Sequence, residues 1–265
     1  MQDEKGVMRD MRMNAMGRRR TVVINGFPLR YWDCGEGMQL LFLHGAALPA
    51  ASFRDIIEIL SLRYRVIVPE LPGFGTSCFP GSDWGFTQYA DLVHGLLTRR
   101  GYDIHQIVGY SFGGGIALHL ARRLEGLQRL TLLSPAGAGV SFRNAGLVVR
   151  VIAEGWNGLR EAVRARRLAV FARIVAAFVF NGARHPLLQN RLQRVILRCL
   201  REGYGQAAPG MPATVVTVDK DVFFPPSLQG PLWQALPCAE RRRERGIHLW
   251  VLFHPLRAAR AAFGE

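Results

Sequence analysis

The stretch Ile107-Val-Gly-Tyr-Ser-Phe-Gly-Gly-Gly-Ile-Ala-Leu-His-Leu-Ala121 decides the fold. A short apolar run, Ile107–Val108, ends in Gly109-Tyr110-Ser111-Phe112-Gly113, and a helical pattern follows at once. The order strand, sharp turn, helix places the serine in strained backbone, where side chains two residues before and two after would clash. Gly109 and Gly113 remove those side chains, and Gly114 and Gly115 let the helix pack close to the sheet. The Ser111 hydroxyl then points out above the sheet edge, over a helix N-terminus with free N–H groups and a positive dipole end. Taken alone, G-x-S-x-G also describes a glycine-rich helix start, so the rest of the chain must choose between the two readings.

Outward from this point, strands and helices alternate. Thr21–Ile24 and Leu29–Trp32 read as two strands around the turn Asn25-Gly26. Gln39–Leu43 is a continuously apolar strand that ends in His44-Gly45-Ala46-Ala47. A helix is expected over Ala50–Leu60, a strand over Arg65–Pro69, and an amphipathic helix over Thr87–Arg99 that Gly101 stops. Ile104–Val108 leads into the serine turn, Phe112–Leu124 leads out, and Leu127–Leu133 is the next strand. This alternation predicts an α/β fold with a doubly wound, mostly parallel sheet, whose sites lie beyond the C-terminal ends of strands. The segments carrying His44, Glu70 and Ser111 all sit at such ends.

The alternation stops after Ser134-Pro-Ala-Gly-Ala-Gly139. Residues 141–205 are helical in pattern, with twelve arginines against three glutamates, and read as a helical cap inserted into a core of residues 21–140 and 206–265. Residues 1–20 are polar, basic and methionine-rich and read as a flexible basic arm. A strand over Ala213–Val218 ends in Asp219-Lys220-Asp221, and a short helix is expected near Ser227–Leu236.

Composition narrows the function classes. The chain has 265 residues, 49% of them hydrophobic, enough for a sizeable core. Its net charge of +14 is almost all arginine, with Lys5 and Lys220 the only lysines. Such a surface favours anionic partners, but no aromatic-interleaved basic motif or zinc-ligand spacing is present, which argues against nucleic acid. Cys34, Cys78, Cys199 and Cys238 are far apart and form no C-x-x-C pair, as expected of buried or semi-buried thiols in a reducing, cytoplasmic setting. No apolar leader precedes Thr21, and the run Ala169–Phe180 is too short, and interrupted by Arg173, to span a membrane.

By this point the chain resembles the α/β-hydrolase family over about Thr21 to Phe263. His44-Gly45 resembles the family's H-G oxyanion segment. Glu70-Leu-Pro-Gly-Phe-Gly-Thr-Ser77 resembles its D-x-P-G-x-G-x-S turn, with Glu in place of Asp. The Ser111 turn matches the nucleophile elbow, and Asp221-Val-Phe-Phe-Pro225 resembles the segment that carries the acid. His248, seven residues before Pro255, resembles the histidine loop that runs into a final helix. The resemblance implies a cofactor-independent and metal-free serine esterase with a triad of Ser111, Asp221 and His248 in the fold's chain order. Asp219 is the alternative acid, and His254 reads as the start of the last helix. The implied oxyanion donors are the backbone N–H groups of Ala46 and Phe112, with His44 bracing the turn and Gly45, Gly109 and Gly113 supporting the site.

Around that site, Glu70 reads as a turn residue, and Tyr110 and Phe112 as shaping the pocket. His94, His105, His119 and His185 read as surface or packing residues. Trp156, Phe171, Phe178 and Phe180 are expected either to line an acyl pocket or to pack the cap helices. Arg241–Arg245 reads as a solvated face. Ala239–Arg245 is a poor buried strand where the family has a hydrophobic one, and is expected as a short, exposed edge strand. Val218 stands where the family's lead-in to the acid has glycine, and Leu249 where many relatives carry Asp.

A small or medium acyl substrate, cleaved as a carboxylic ester, is the expected reading. A perhydrolase, a C–C bond hydrolase, an amidase or an acyltransferase shares the same triad, and a non-catalytic binding protein on this fold is the rival from another class. Ser111 argues against the haloalkane dehalogenase and epoxide hydrolase branches, which need aspartate there. A further expectation is a weak contact with anionic membranes through the arginine-rich cap. The sequence leaves the oligomeric state open.

Overall fold

The computed structural model describes residues 17–137, 144–183, 186–204 and 212–264. Eight strands form one sheet: β1 (Arg18–Ile24), β2 (Phe27–Cys34), β3 (Gln39–Leu43), β4 (Arg65–Pro69), β5 (Gln106–Tyr110), β6 (Arg129–Leu133), β7 (Ala213–Lys220) and β8 (Glu240–Ile247). Their order across the sheet is β1-β2-β4-β3-β5-β6-β7-β8. β2 runs antiparallel to both its neighbours, and every pairing from β4 to β8 is parallel.

The two faces of the sheet follow from side-chain alternation along the strands. Leu40, Phe42, Val66, Val68, Val108 and Val216 pack under α1 (Arg54–Ser61) and the C-terminal helices. Leu41, Leu43, Ile107, Leu130, Leu132 and Val215 pack under α2 (Phe86–Arg100) and α3 (Phe112–Ala121). Both sets are buried, which is why the central strands read as unbroken apolar runs rather than as alternating ones. The sheet ends at β8, where only Ile247 is buried and the charged run lies along the exposed edge, as the sequence predicts, but the strand is not short: its 8 residues equal β2 and β7. Glu240 and Arg242 pair there, and the Arg241 guanidinium lies 4.4 Å from the Trp233 ring.

Several boundaries move. Arg18–Arg20, expected in the arm, pair with Tyr31–Asp33 in β1, held by Arg20 near Asp33 at 3.7 Å and Arg19 over the Trp32 ring. Residues 1–16 lie outside the described residues. The helix expected over 50–60 begins as a 3-10 turn, Ala50–Phe53, before α1. The one expected over 227–236 is a 3-10 turn, Pro226–Leu228, followed further on by a short helix, Gly230–Ala235. The strand into the serine turn is displaced by two residues and ends at Tyr110 itself.

Between β6 and β7 lie α4 (Asn144–Arg164), α5 (Leu168–Ala183) and α6 (Pro186–Glu202). Several polar contacts tie this insertion to the core, among them the following three. Asn181 Oδ1 accepts the Gly75 N–H at 3.0 Å, Arg167 pairs with Asp55, and Glu202 accepts the Phe86 N–H at 2.6 Å. After the short Gly230–Ala235 helix, α7, the chain closes with α8 (Trp250–Phe253) and α9 (Pro255–Phe263).

The glycines of the serine turn differ in what they do. A Cβ on Gly113 would overlap the Leu43 carbonyl oxygen and lie 2.7 Å from that of His44. Both are backbone atoms of β3 and the loop after it, so neither can yield without breaking the β3–β5 ladder. Gly113→Ala is therefore expected to cost at least about 3 kcal/mol or to prevent folding, read by urea unfolding. Gly155, inside α4, is the control, because a Cβ added there would have nothing within 4 Å. Gly155→Ala is expected to gain about 0.5–1 kcal/mol.

Candidate active site

Ser111 sits between β5 and α3 with φ 51° and ψ −118°, a conformation an L-residue occupies only under constraint. The constraint is a set of backbone bonds. The Ser111 N–H donates to the Leu133 carbonyl at 2.9 Å, and its own carbonyl accepts the N–H groups of Gly114 and Ala136 at 2.8 and 2.9 Å. Held this way, the side chain meets His248: Ser111 Oγ lies 2.9 Å from His248 Nε2.

His248 follows β8 and is buried. Its Nδ1 lies 2.8 Å from Asp221 Oδ2. The other carboxylate oxygen of Asp221 accepts the N–H groups of Phe223 and Phe224 at 2.9 and 2.8 Å, so this carboxylate is fixed by the turn that follows it. Tyr110, the residue before the serine, donates its hydroxyl to the His248 carbonyl at 2.8 Å and clamps the loop from below. Burial alone would lower the His248 pKa. The charge and hydrogen bond of Asp221, with Glu154 beyond, overcome this and hold it above the ordinary histidine value.

Asp219, the other acid at this strand end, is exposed, and its Oδ1 accepts the Gly246 N–H at 2.8 Å. It braces the β7–β8 edge and does not meet His248. His254 caps the start of α9 and lies 2.7 Å from Glu161 of α4.

His44 and Gly45 lie beside the serine. A Cβ on Gly45 would be 2.9 Å from the Tyr110 ring and 3.4 Å from Ser111 Cβ. His44 is fully buried, and burial pushes its pKa down to about 4, so it is neutral. Its Nε2 accepts the Leu71 N–H at 3.0 Å, which leaves the proton on Nδ1, donated to the Gly45 carbonyl at 2.8 Å. A trans peptide points its N–H opposite to its C=O. By holding the Gly45 carbonyl, His44 therefore sets the direction of the Ala46 N–H. Phe112 is the first residue of α3, where a helix N–H has no intrahelical acceptor.

Glu70 is buried and accepts the Thr76 hydroxyl at 3.0 Å, with Arg19 at 3.8 Å, as a turn residue should. Phe112 packs among Phe74, Phe86 and Tyr89. His119 bonds Thr87 and Gly203, His94 and His105 are half-buried, and His185 lies outside the described residues. Cys34 and Cys199 are buried and Cys78 half-buried; Cys238 departs from the expectation and is exposed. A cavity of about 220 Å3 lies behind Phe53, between α1, α5 and α8, and none of Ser111, Asp221 and His248 lines it.

Trp156, Phe178 and Phe180 are exposed, and none of them lines the cavity behind Phe53; of the four aromatics only Phe171 packs against the buried core. The residue that does reach the site from the insertion is Glu154 of α4, which no motif announces. It is 3% exposed, and its Oε1 accepts the Leu249 N–H at 2.8 Å. Its Oε2 is buried with no partner among the described residues. The only sequence signal is an acid on the inner face of an otherwise arginine-rich helix.

Burial raises the Glu154 pKa from 4.5 to about 7, against the opposing pull of His248. A carboxyl whose folded pKa is raised binds its proton more tightly when folded, so it costs stability as pH rises through the window from about 4.5 to about 7. Glu154→Gln keeps an acceptor for Leu249 and removes the titration. Unfolding of the variant relative to wild type is expected to be similar at pH 5 and more favourable to the variant by about 3 kcal/mol at pH 8.

Among the described residues no group of His, Cys, Asp and Glu could hold a metal ion, and no helix is long and apolar enough to cross a membrane. The chain is 39% identical over 133 residues to a 2-hydroxymuconate semialdehyde hydrolase of Pseudomonas putida, 46% of this chain and 44% of that one. It is 32% identical over 99 residues to a soluble epoxide hydrolase of a Corynebacterium species, 37% of this chain and 35% of that one. The chain thus spans less than half the length of these curated relatives. Its fold superposes with a TM-score of 0.75 on the solved structure of Est816, an N-acyl homoserine lactone degrading enzyme, at 21% identity over 92% of this chain and 99% of that one. The family model described as the alpha/beta hydrolase family matches residues 40–261. This chain belongs to the alpha/beta hydrolase family.

Proposed function

We propose that the protein is a serine hydrolase that cleaves carboxylic esters through an acyl-enzyme. The observation that carries this reading is the unbroken line from Ser111 Oγ to His248, 2.9 Å, and from His248 to Asp221, 2.8 Å, with the far carboxylate oxygen held by two backbone N–H groups. In this reading Ser111 attacks the ester carbonyl while His248 Nε2 takes its proton. The tetrahedral oxyanion lies against the N–H groups of Ala46 and Phe112, the first aimed by His44; one such donor contributes about 2.7–4 kcal/mol to transition-state stabilisation. His248 then gives its proton to the departing alkoxide. Water, deprotonated by the same nitrogen, releases the acid and restores Ser111. Asp221 keeps the imidazole in the tautomer that accepts from serine.

A second reading is favoured by the 39% identity to a 2-hydroxymuconate semialdehyde hydrolase: the same three residues cleave a carbon–carbon bond. The test is a panel of p-nitrophenyl acetate, butyrate, octanoate and palmitate beside 2-hydroxymuconate semialdehyde. Turnover of the esters, graded by chain length, is the expected result. Turnover of the semialdehyde alone moves the assignment to carbon–carbon hydrolysis, and none of any substrate by folded protein removes the ester reading.

A further inference from the structure

Thirteen large hydrophobic side chains are strongly exposed among the described residues, and ten of them lie on α4 and α5. They are organised. Val148, Ile152 and Trp156 stand four residues apart on one face of α4, and Leu168, Val175 and Val179 recur at helical spacing on α5. The two helices pack against each other, joined by only Ala165–Arg167. An exposed apolar surface of this kind on one supersecondary unit marks an interaction site.

The charges around it select the partner. Arg160, Arg164 and Arg166 are exposed on α4 and the turn that follows it, and none has a carboxylate partner among the described residues, whereas Arg173 of α5 lines the cavity behind Phe53. The acids of the insertion are all engaged elsewhere. Glu154 is buried under Leu249, Glu161 pairs with His254, and Glu202 holds the Phe86 N–H and the Thr87 hydroxyl. The outward face of α4 and α5 is thus apolar and uniformly positive. A second copy of this chain, itself at +14, would bring like charges together there. A partner that offers hydrocarbon beneath a layer of negative charge matches both features at once.

We infer that the outer face of α4 and α5 docks on the interface of an anionic lipid membrane. Trp156 and the aliphatic residues beside it enter the boundary between headgroups and acyl chains, and the arginines remain at the headgroup phosphates. The helices lie on the surface and do not cross it.

The experiment is co-sedimentation of the full chain with phosphatidylcholine vesicles, with and without phosphatidylglycerol, at low and high salt. Two variants accompany it. Trp156→Ser with Val179→Ser removes apolar contact, and Arg160→Glu with Arg164→Glu reverses charge; all four side chains are exposed, so the fold should survive, as circular dichroism can verify. Retention on the anionic vesicles alone, weakened by salt, is expected, with binding at least about tenfold weaker in each variant. No retention at low salt overturns the inference. So does retention that the apolar variant leaves unchanged, which would leave surface charge alone as the cause. A concentration-dependent dimer in light scattering that the apolar variant abolishes would assign the face to self-association instead. The readout is independent of any hydrolytic activity.

Discussion

Ser111→Ala is expected to abolish turnover of every ester the wild type cleaves, with kcat lowered by about 10⁴-fold or more. The argument is local. Only the Oγ of Ser111 stands within hydrogen-bond distance of His248 Nε2, and the described residues offer no second hydroxyl there. Alanine can keep the backbone bonds to Leu133, Gly114 and Ala136, because none of them uses the side chain. The variant should therefore unfold at nearly the wild-type denaturant concentration, while KM, set by contacts the substitution leaves in place, changes little. The measurement is steady-state hydrolysis of the p-nitrophenyl esters beside an unfolding curve. Activity that survives in the folded variant would remove Ser111 as the nucleophile.

Asp221→Asn carries the second large effect, a loss of about 10⁴-fold in kcat with the fold intact. The turn makes the reason specific. Oδ1 of Asp221 accepts two backbone N–H groups, from Phe223 and Phe224. An asparagine must turn its oxygen toward those donors, which aims its NH2 at His248 Nδ1. Nδ1 then has to accept, the ring proton moves to Nε2, and Nε2 can no longer take the serine proton. Asp219→Asn is the contrast: among the described residues Asp219 receives only the Gly246 N–H, so activity should remain within a few-fold of wild type. The pH profile is a further check. The base must be neutral, so the rate falls as pH drops through the His248 pKa. Asp221 raises that pKa, placing the acid limb of kcat/KM above about 6.5, and the residual limb of Asp221→Asn should lie at lower pH. If Asp219→Asn proves the damaging substitution, the acid has been misassigned.

The elements nearest the site show how far local chemistry carries. The serine turn was legible because everything that makes it is within one strand, one turn and one helix: a strained φ, glycines at fixed offsets and an apolar run on each side. The His44 turn and the parallel sheet were legible for the same reason, since buried strands and amphipathic helices declare themselves by periodicity. The charged strand before His248 was readable as an edge, because an edge is where a strand can keep its charges in water.

Other features needed the assembled molecule. Asp219 and Asp221 lie two residues apart at the end of one strand, and spacing in the chain cannot say which turns toward the histidine. The choice is made where the β7–β8 register shifts, between Val218 and Lys220, so that Asp219 meets Gly246 and Asp221 falls into the following turn. Glu154 stands 95 residues from the backbone it binds, and burial raises its pKa only after α4 has docked. The aromatics of α4 and α5 carry a helical pattern that reads equally as packing or as pocket. Which face of an amphipathic helix is covered depends on where its neighbours sit, and here the neighbours leave Trp156, Phe178 and Phe180 outside. Local pattern was enough for the sheet, the serine turn and the family, because each is written within a few consecutive residues. Folding had to bring distant segments together before one aspartate met His248, a carboxyl was buried beside it and an apolar face was left uncovered.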